Sequence, residues 1–378
     1  MKDNVLSLIA RIKTIRQSLG FSQEELAQKA GFGSAQVISQ IEKGERDIKA
    51  HELVKLSKVL HTDLYGFFAE EMNPIPNMLW RNKIDENIQN LREKEFLNRC
   101  QEYHSLEELC DFRTPPKLPQ CEVDSASLNF STAQSIAQQC GGQLNLGSRP
   151  AASLERLLEN AYGVKIWYMD LGQKGSAACV IGPFGPGILM NKSEAPWRRN
   201  YNFAHELFHL ITWKSLPPEL LTSDEKIWER VEQIAEVFAS NLLLPADPVL
   251  SAFHEKVADG KIKHIDLVGI AREFDVSTLA LLYRLLNLGQ LDKKTVEKLL
   301  NDPEFKRIDA ATMHQHWWEP PVIPERFVRL AFLAYKKGKC SKARLASYFG
   351  KGLRELSDFL KKYDLFEEED YQTEIAVT

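Results

Sequence analysis

The sequence lacks the features that define several broad classes of protein. In its 378 residues, no apolar run approaches the roughly 18 residues of a membrane-spanning helix. Its six cysteines are scattered without a C-x-x-C pair, which argues against a disulfide framework and against a cysteine zinc site. The net charge of −4 gives no overall sign of nucleic-acid binding, so any DNA contact must come from a local surface. We find no repeat of solenoid period and no low-complexity tract.

What remains is typical of a globular protein with several domains. The chain is 44% hydrophobic and 26% charged, and its length predicts two or three domains. The N-terminus has no apolar block of the kind found in signal peptides, so we expect a cytoplasmic protein. The pattern of elements predicts a mainly α fold with a small β-sheet, of the α+β class. The expected sections are a five-helix domain at 1–70, a helical connector at 71–123, a domain at 124–290 and a helical C-terminal region at 291–378.

The most informative motif is H-E-x-x-H at 205–209, inside a segment with helical apolar spacing. Side chains four residues apart share a helix face, so His205 and His209 can reach one ion. Zinc (Zn2+) binds neutral imidazole nitrogens at about 2.0–2.1 Å. Glu206 follows the first histidine and can act as the general base for a hydrolytic water. The alternative is a surface helix that carries two histidines and a glutamate by chance.

Other residues that could bind metal or stabilise a reacting group have simpler explanations. His314 and His316 precede a tryptophan pair and can bind metal, but such a pattern more often marks a loop that packs onto the body. Tyr201 and Arg198 or Arg199 lie just before the motif and can stabilise an oxyanion. We expect them instead to be surface residues at the start of the helix.

The pattern of residues 1–70 predicts a helix-turn-helix. Ser22 and Glu25 have the spacing of a capping box, and Gly31 is placed to end the helix that they begin. Ser34 can cap the next helix, which we expect to stop at Gly44.

This second helix is predicted to present polar side chains outward. Glutamine can pair with adenine in the major groove, and Gln23 stands at a helix N-terminus that suits a phosphate contact. The candidate DNA contacts are Gln23, Ser34, Gln36, Ser39, Gln40 and Lys43. A small helical docking module with polar outer faces is the alternative that the spacing leaves open.

Residues 11–68 resemble the lambda-repressor-like, XRE-type helix-turn-helix family. The matching segments are 12–16, 21–27, 37–44 and 53–60, among them Phe21-Ser22-Gln23-Glu24-Glu25-Leu26-Ala27. The resemblance implies sequence-specific binding to double-stranded DNA, usually as a homodimer on a palindromic operator.

Residues 125–290 resemble the ImmA/IrrE-type metallopeptidases. The match includes strand candidates at 164–169, 177–181 and 187–191. It also includes the residues directly before the histidine motif and a helix at 229–244. The part of this helix that matches the family begins at Glu232, and the resemblance implies that Glu232 is the third zinc ligand. The family often has Asn where this chain has Glu236, so Glu236 is available as a partner of a ligating histidine. From the residues alone, Glu232 and Glu236 can also belong to a solvated helix face.

Together the two resemblances imply a DNA-binding regulator with a zinc metallo-endopeptidase domain. In this family the substrate is typically a helix-turn-helix repressor, cleaved under stress or on induction of a phage or mobile element; here it could also be the protein itself. The competing interpretation is an antitoxin that represses its own operon and uses the zinc domain to bind and neutralise a toxin. Two histidines and one glutamate leave a fourth zinc position open, which favours a catalytic over a structural site.

Overall fold

The computed structural model describes residues 2–60, 62, 67, 76–82, 84–112, 115–125, 127–313 and 318–366, and for residues 2–7 and 18 it describes the backbone alone. This described part is mostly helical and contains one four-stranded sheet, so the predicted α+β class is confirmed. Among the described helices, none has the length and apolar character needed to cross a membrane.

The N-terminal domain is built from short helices around a core of its own. Its described helices are α1 (Lys2–Ser18), α2 (Gln23–Ala30), α3 (Ala35–Glu42) and α4 (Ala50–Val59). The core contains the fully buried side chains of Ile12, Leu26, Ile38, Leu56 and Leu60. The sequence predicts a fifth helix in 1–70, and of the residues that follow Leu60 in this section the structure describes only 62 and 67.

Local capping interactions set the boundary between α2 and α3. The predicted capping box is confirmed, because the Glu25 backbone N–H donates to Ser22 Oγ at 3.1 Å and the Ser22 N–H donates to Glu25 Oε2 at 2.8 Å. Gly31 adopts a φ of 68°, a left-handed conformation that glycine accommodates without strain, and it ends α2. Ser34 stands at the N-cap of α3, but its side chain makes no capping hydrogen bond.

The connector supplies one short strand and one long helix. Strand β1 (Leu79–Trp80) is followed by α5 (Glu86–Leu109), the helix within the connector expected at 71–123. Asp85 caps α5 by accepting hydrogen bonds from the backbone N–H groups of Asn87 and Ile88.

The sheet is mixed and has the order β1-β3-β4-β2. Its other strands are β2 (Lys165–Met169), β3 (Ala177–Gly182) and β4 (Gly185–Asn191), close to the three strands that the sequence predicts. β3 and β4 are antiparallel, as are β1 and β3, whereas β2 runs parallel to β4.

Helices cover both faces of this sheet and extend to the C-terminal region. Those that follow α5 are α6 (Phe130–Gln143), α7 (Ala151–Asn160), α8 (Pro196–Thr212), α9 (Pro218–Ser223), α10 (Glu225–Leu243), α11 (Ala246–Lys256), α12 (His264–Glu273), α13 (Thr278–Asn287), α14 (Lys293–Asn301), α15 (Pro303–Met313), α16 (Glu325–Lys336), α17 (Lys342–Tyr348) and α18 (Leu353–Lys361).

Alternation along the strands divides the buried side chains between two cores. On β2, Ile166 and Tyr168 belong to the core that contains α6, α8 and α10. Trp167 and Met169 point to the opposite face, where they join the core that contains α5 and α16. The sheet is therefore buried on both sides, and α8 lies in the first of these two cores.

A buried ion cluster joins the connector, the sheet and the C-terminal region. Glu107 of α5 accepts contacts from Lys165 Nζ at 2.9 Å and from Arg326 Nη1 at 2.6 Å. All three side chains are no more than 15% exposed. The C-terminal helices and α5 thus pack directly against the sheet that supports α8.

Candidate metal centre

Helix α8 carries the histidine pair in its buried half. Pro196 is in its first turn, where a proline costs no hydrogen bond, and every residue from 202 to 212 is buried. Because His205 and His209 lie one turn apart, their Nε2 atoms converge to 3.2 Å. The two rings are 0% and 2% exposed, which excludes a surface helix with two histidines by chance.

Helix α10 brings Glu232 to the same point. Its Oε2 atom is 3.3 Å from His205 Nε2, and its Oε1 atom is 3.1 Å from His209 Nε2. Ala235 and Ala239, both fully buried, leave little side-chain volume between α10 and the core. Trp228 stacks on the His209 ring with a centroid distance of 6.0 Å and an interplanar angle of 12°.

The donor atoms of these three residues have the spacing that a tetrahedral zinc ion requires. Ligands at about 2.0–2.1 Å from one tetrahedral ion lie about 3.3 Å from each other. The three separations in the structure, 3.2, 3.3 and 3.1 Å, agree with this value. Among the His, Cys, Asp and Glu side chains of the described residues, these three have ligand atoms close enough together to hold one metal ion.

The electrostatics of the trio favour a positive charge between these side chains. Burial raises the pKa of Glu232, but hydrogen bonding to His205 and His209 outweighs this effect and holds the pKa well below its ordinary value. Burial lowers the pKa of His205, and the carboxylates of Glu232 and Glu236 reverse that change and raise it. An anionic carboxylate is therefore stable here, as a cation-binding site requires.

Glu206 lies next to the trio on α8 and is 1% exposed. Its Oε1 atom is buried and makes no hydrogen bond within the described structure. On the sheet side, the carboxylate contacts Cys179 of β3, whose pKa is raised first by burial and then by this carboxylate. A buried carboxylate oxygen without a donor costs free energy, so its retention beside the trio points to a role in the chemistry of the site.

Glu236 lies one turn after Glu232 and faces the other nitrogen of His205. Its Oε1 atom is 3.4 Å from His205 Nδ1, on the side of the ring that points away from Glu232. Arg81, from the connector, donates hydrogen bonds to the Glu236 carboxylate and to Asn202 Oδ1. No sequence pattern singles out Arg81, because it follows a two-residue strand and lies far from the histidine motif along the chain.

The residues that precede the motif differ from the expectation that all are exposed. Arg198 is exposed as expected, but Arg199 is fully buried and donates hydrogen bonds to the carbonyls of Glu194 and Trp318. Tyr201 is partly buried, and its hydroxyl donates to the Glu236 carbonyl at 2.8 Å. The cause is the depth of α8, whose N-terminal turns are already covered by neighbouring segments.

The sequence also offered a second histidine pair as a weaker metal-binding candidate. His314 and His316 lie outside the described residues.

A separate cavity of about 1000 Å³ lies between α7 and α16. Glu155, Glu159, Tyr168 and Arg326 are among its lining residues, whereas the metal trio is not.

The candidate DNA-contacting residues surround α3. Ser34, Gln36 and Lys43 are exposed, and Ser39 and Gln40 are partly exposed. The buried face of α3 is formed by Ile38 and Ile41, so the polar face is turned outward as predicted.

Gln23 is less free than the sequence suggests. Its Nε2 atom donates to Glu42 Oε2 at 2.8 Å, and the same carboxylate accepts hydrogen bonds from Arg16 at 2.6 and 3.0 Å. This network fixes the start of α2 against the end of α3. A phosphate contact by Gln23 remains a prediction.

Comparison with known proteins agrees with both parts of this description. Residues 12–67 match the helix-turn-helix family, and residues 159–286 match the family described as the IrrE N-terminal-like domain. The chain joins an XRE-type DNA-binding domain to an IrrE-like metallopeptidase domain. The metal trio lies inside the second match, and α2 and α3 lie inside the first.

Two individual proteins resemble parts of the chain. The radiation response metalloprotease IrrE of Deinococcus deserti is 29% identical over 142 residues, which is 36% of this chain and 47% of that protein. The chain thus spans about half the length of this curated relative. A solved structure of a Mycobacterium tuberculosis transcriptional regulator is 16% identical, with a TM-score of 0.32, and the alignment covers 49% of this chain and 51% of that chain.

Proposed function

We propose that this chain is a DNA-binding regulator whose metallopeptidase domain holds one zinc ion and cleaves a partner protein. The observation that carries the proposal is the set of three donor atoms separated by 3.1–3.3 Å, with the buried Glu206 beside them. His205, His209 and Glu232 would hold the ion, which fits the preference of zinc for imidazole and carboxylate ligands. When bound, zinc supplies Lewis-acid catalysis and lowers the pKa of water toward about 7.

Glu206 is the residue that we propose as the general base. Its carboxylate is buried, and one oxygen has no hydrogen-bond donor in the described structure. It can accept the proton of an attacking water and deliver that proton to the leaving amine of the peptide bond. Glu206 is 1% exposed, so bulk water is largely excluded from that proton transfer.

The DNA-binding domain suggests how a substrate reaches this site. Exposed polar side chains on α3 suit contacts with base edges in the major groove, and we propose that they bind an operator as a homodimer on a palindromic sequence. A substrate bound at or near the same DNA would be held close to the metallopeptidase domain. We therefore propose a DNA-bound regulator, or a second copy of this chain, as the protein that is cleaved.

The test is a comparison of new protein N-termini in cells that express the parent chain or its Glu206→Gln variant. Glutamine keeps the size of the side chain and removes its basicity. We expect a small set of cleavage products with the parent and none with the variant. Glu229→Gln, which changes an exposed acid on α10, is the matched control and should cleave like the parent.

Two outcomes contradict the proposal. Identical sets of N-termini in the parent and in Glu206→Gln would show that no cleavage depends on this carboxylate. If the variant also represses its own operon and neutralises a toxin encoded beside it as well as the parent does, the antitoxin function replaces the protease function.

A further inference from the structure

The connector between the two domains contributes a side chain to the metal centre. Arg81 directly follows β1, and its backbone N–H donates to the Ala177 carbonyl of β3 at 3.2 Å. This bond continues the pairing of Leu79 with Cys179 and of Trp80 with Ala178. The position of Arg81 is therefore fixed by the edge of the sheet.

The Arg81 guanidinium joins two helices of the metallopeptidase domain. It donates to the Glu236 carboxylate of α10 and to Asn202 Oδ1 of α8, and its side chain is 16% exposed. Its carbon Cζ also lies 5.8 Å from the centroid of the Tyr201 ring. Two donors in a planar fork suit such a bridge between an amide and a carboxylate.

The contact with Glu236 leads directly to a metal-ligating histidine. The Glu236 oxygen that accepts from Arg81, Oε1, is also the atom 3.4 Å from His205 Nδ1. The Glu236 side chain is 44% exposed, so water competes for its carboxylate. A fixed guanidinium opposes that competition and holds the carboxylate against the imidazole.

The contact with Asn202 is supported from the other side. Asn202 Nδ2 donates to Glu194 Oε2 at 2.5 Å, and Glu194 Oε1 accepts from the Ser176 hydroxyl at 2.9 Å. Asn82, the next residue of the connector, donates to Ser176 Oγ at 2.9 Å. Adjacent connector residues thus enter one hydrogen-bond network that ends on the metal-site helix.

We infer that Arg81 is a positioning residue for the metal centre, acting on His205 through Glu236. This inference rests on the proposed zinc site. A carboxylate at the second nitrogen of a ligating imidazole fixes its orientation and tautomer, and Arg81 fixes that carboxylate. The metal centre is therefore completed by a residue outside segment 159–286, which matches the metallopeptidase family.

The test measures metal binding by the full chain, without any substrate. Zinc affinity is determined by competition with a chromogenic chelator, and ligand geometry is read from the visible absorption of the Co2+-substituted protein. Arg81→Ala should weaken zinc binding by about 10–100-fold, the range typical for partners of metal ligands, and should change the Co2+ spectrum. Arg81→Lys keeps the charge and should restore part of the affinity.

Two further variants separate positioning from a general loss of structure. Arg92→Ala removes a connector arginine that contacts Glu95 and the Asp170 carbonyl, and it should keep the parental affinity and spectrum. In the Glu236→Gln background, Arg81→Ala should cause little additional loss, because both residues act through the same carboxylate.

Three results would overturn the inference. Arg81→Ala with parental zinc affinity and Co2+ spectrum would remove the role of Arg81, while the zinc site itself stood. Full additivity of the Arg81 and Glu236 losses would show that Arg81 does not act through Glu236. A parent chain that takes up no zinc would refute the proposed function together with this inference.

Discussion

The candidate metal centre and helix α3, the helix predicted to contact DNA, differ in where their polar side chains lie. His205, Glu206 and His209 are no more than 2% exposed, on a helix whose buried apolar side chains belong to the largest apolar cluster described around the sheet. On α3, Gln36 is exposed and Gln40 is partly exposed, above an apolar face buried in the N-terminal core. One region keeps its polar groups away from water, and the other presents them to it.

This difference determines how each region depends on its neighbours. Buried polar groups need partners at fixed positions, so the metal centre requires contributions from α8, α10, β3 and the connector. Exposed side chains acquire their partners only when DNA binds, so the helix needs little more than a stable core. We therefore expect substitutions at the metal centre to have large effects that depend on one another. Substitutions on α3 should have smaller effects that are additive.

The largest expected effect is on catalysis. For a cleavage reaction identified from the new N-termini, Glu206→Gln should lower the single-turnover rate by about 10²–10⁴, the usual contribution of a general base. Zinc content and operator affinity should remain at parental values, because Glu206 is neither a ligand nor near α3. A variant that loses zinc and activity together would instead place Glu206 among the ligands.

A smaller effect is expected on α3. The Gln36→Ala/Gln40→Ala pair should lose operator specificity, by about 1–3 kcal/mol for each bidentate base contact removed, while the fold persists. Gel shifts on the upstream region of the chain's own gene measure this loss, and Gln28→Ala on the exposed face of α2 serves as control. Removal of zinc by a chelator should leave the binding curve unchanged. Unaltered binding by the double variant would show that this face of α3 does not read bases.

Glu159 tests the effect of burial on a carboxylate outside both regions. Burial raises its pKa from the ordinary 4.5 to about 7, although the Tyr103 hydroxyl donates to it at 2.9 Å. Glu159 therefore keeps its proton to a higher pH in the folded state than in the unfolded state. Stability from this group is present below about pH 4.5 and is lost as pH rises to about 7.

The size of this effect is bounded by the pKa change. At about 1.4 kcal/mol for each pH unit, the free energy of unfolding should fall by at most about 4 kcal/mol between these limits. Urea unfolding at about pH 5 and about pH 8 measures the change. Glu159→Gln should reduce this pH dependence and Glu229→Gln should not; equal curves for the parent and Glu159→Gln would contradict the account.

Features with a local cause were predictable from the sequence. The capping box of Ser22 and Glu25 and the glycine stop at Gly31 depend on neighbouring residues, and both are confirmed. The convergence of His205 and His209 follows from helix geometry alone. The three longer strands, which the family resemblance placed at 164–169, 177–181 and 187–191, also agree with the structure.

Features with a distant cause were missed. Strand β1 has two residues, too few for any periodic pattern, and it exists because β3 offers an edge to pair with. The burial of Arg199 depends on the Trp318 carbonyl, which lies far along the chain. Arg81 reaches the metal centre only because β1 fixes it there. Tertiary contacts of this kind cannot be recognised from local sequence patterns.

Glu232 and Glu236 provide the most direct test of the metal centre, because they are identical residues one turn apart on α10. Zinc content and affinity should be measured for the parent, Glu232→Gln and Glu236→Gln. We predict about one zinc per chain in the parent, little or none in Glu232→Gln, and retained but weaker binding, by about 10–100-fold, in Glu236→Gln. Full zinc content in Glu232→Gln, or its loss in Glu236→Gln alone, would contradict the account.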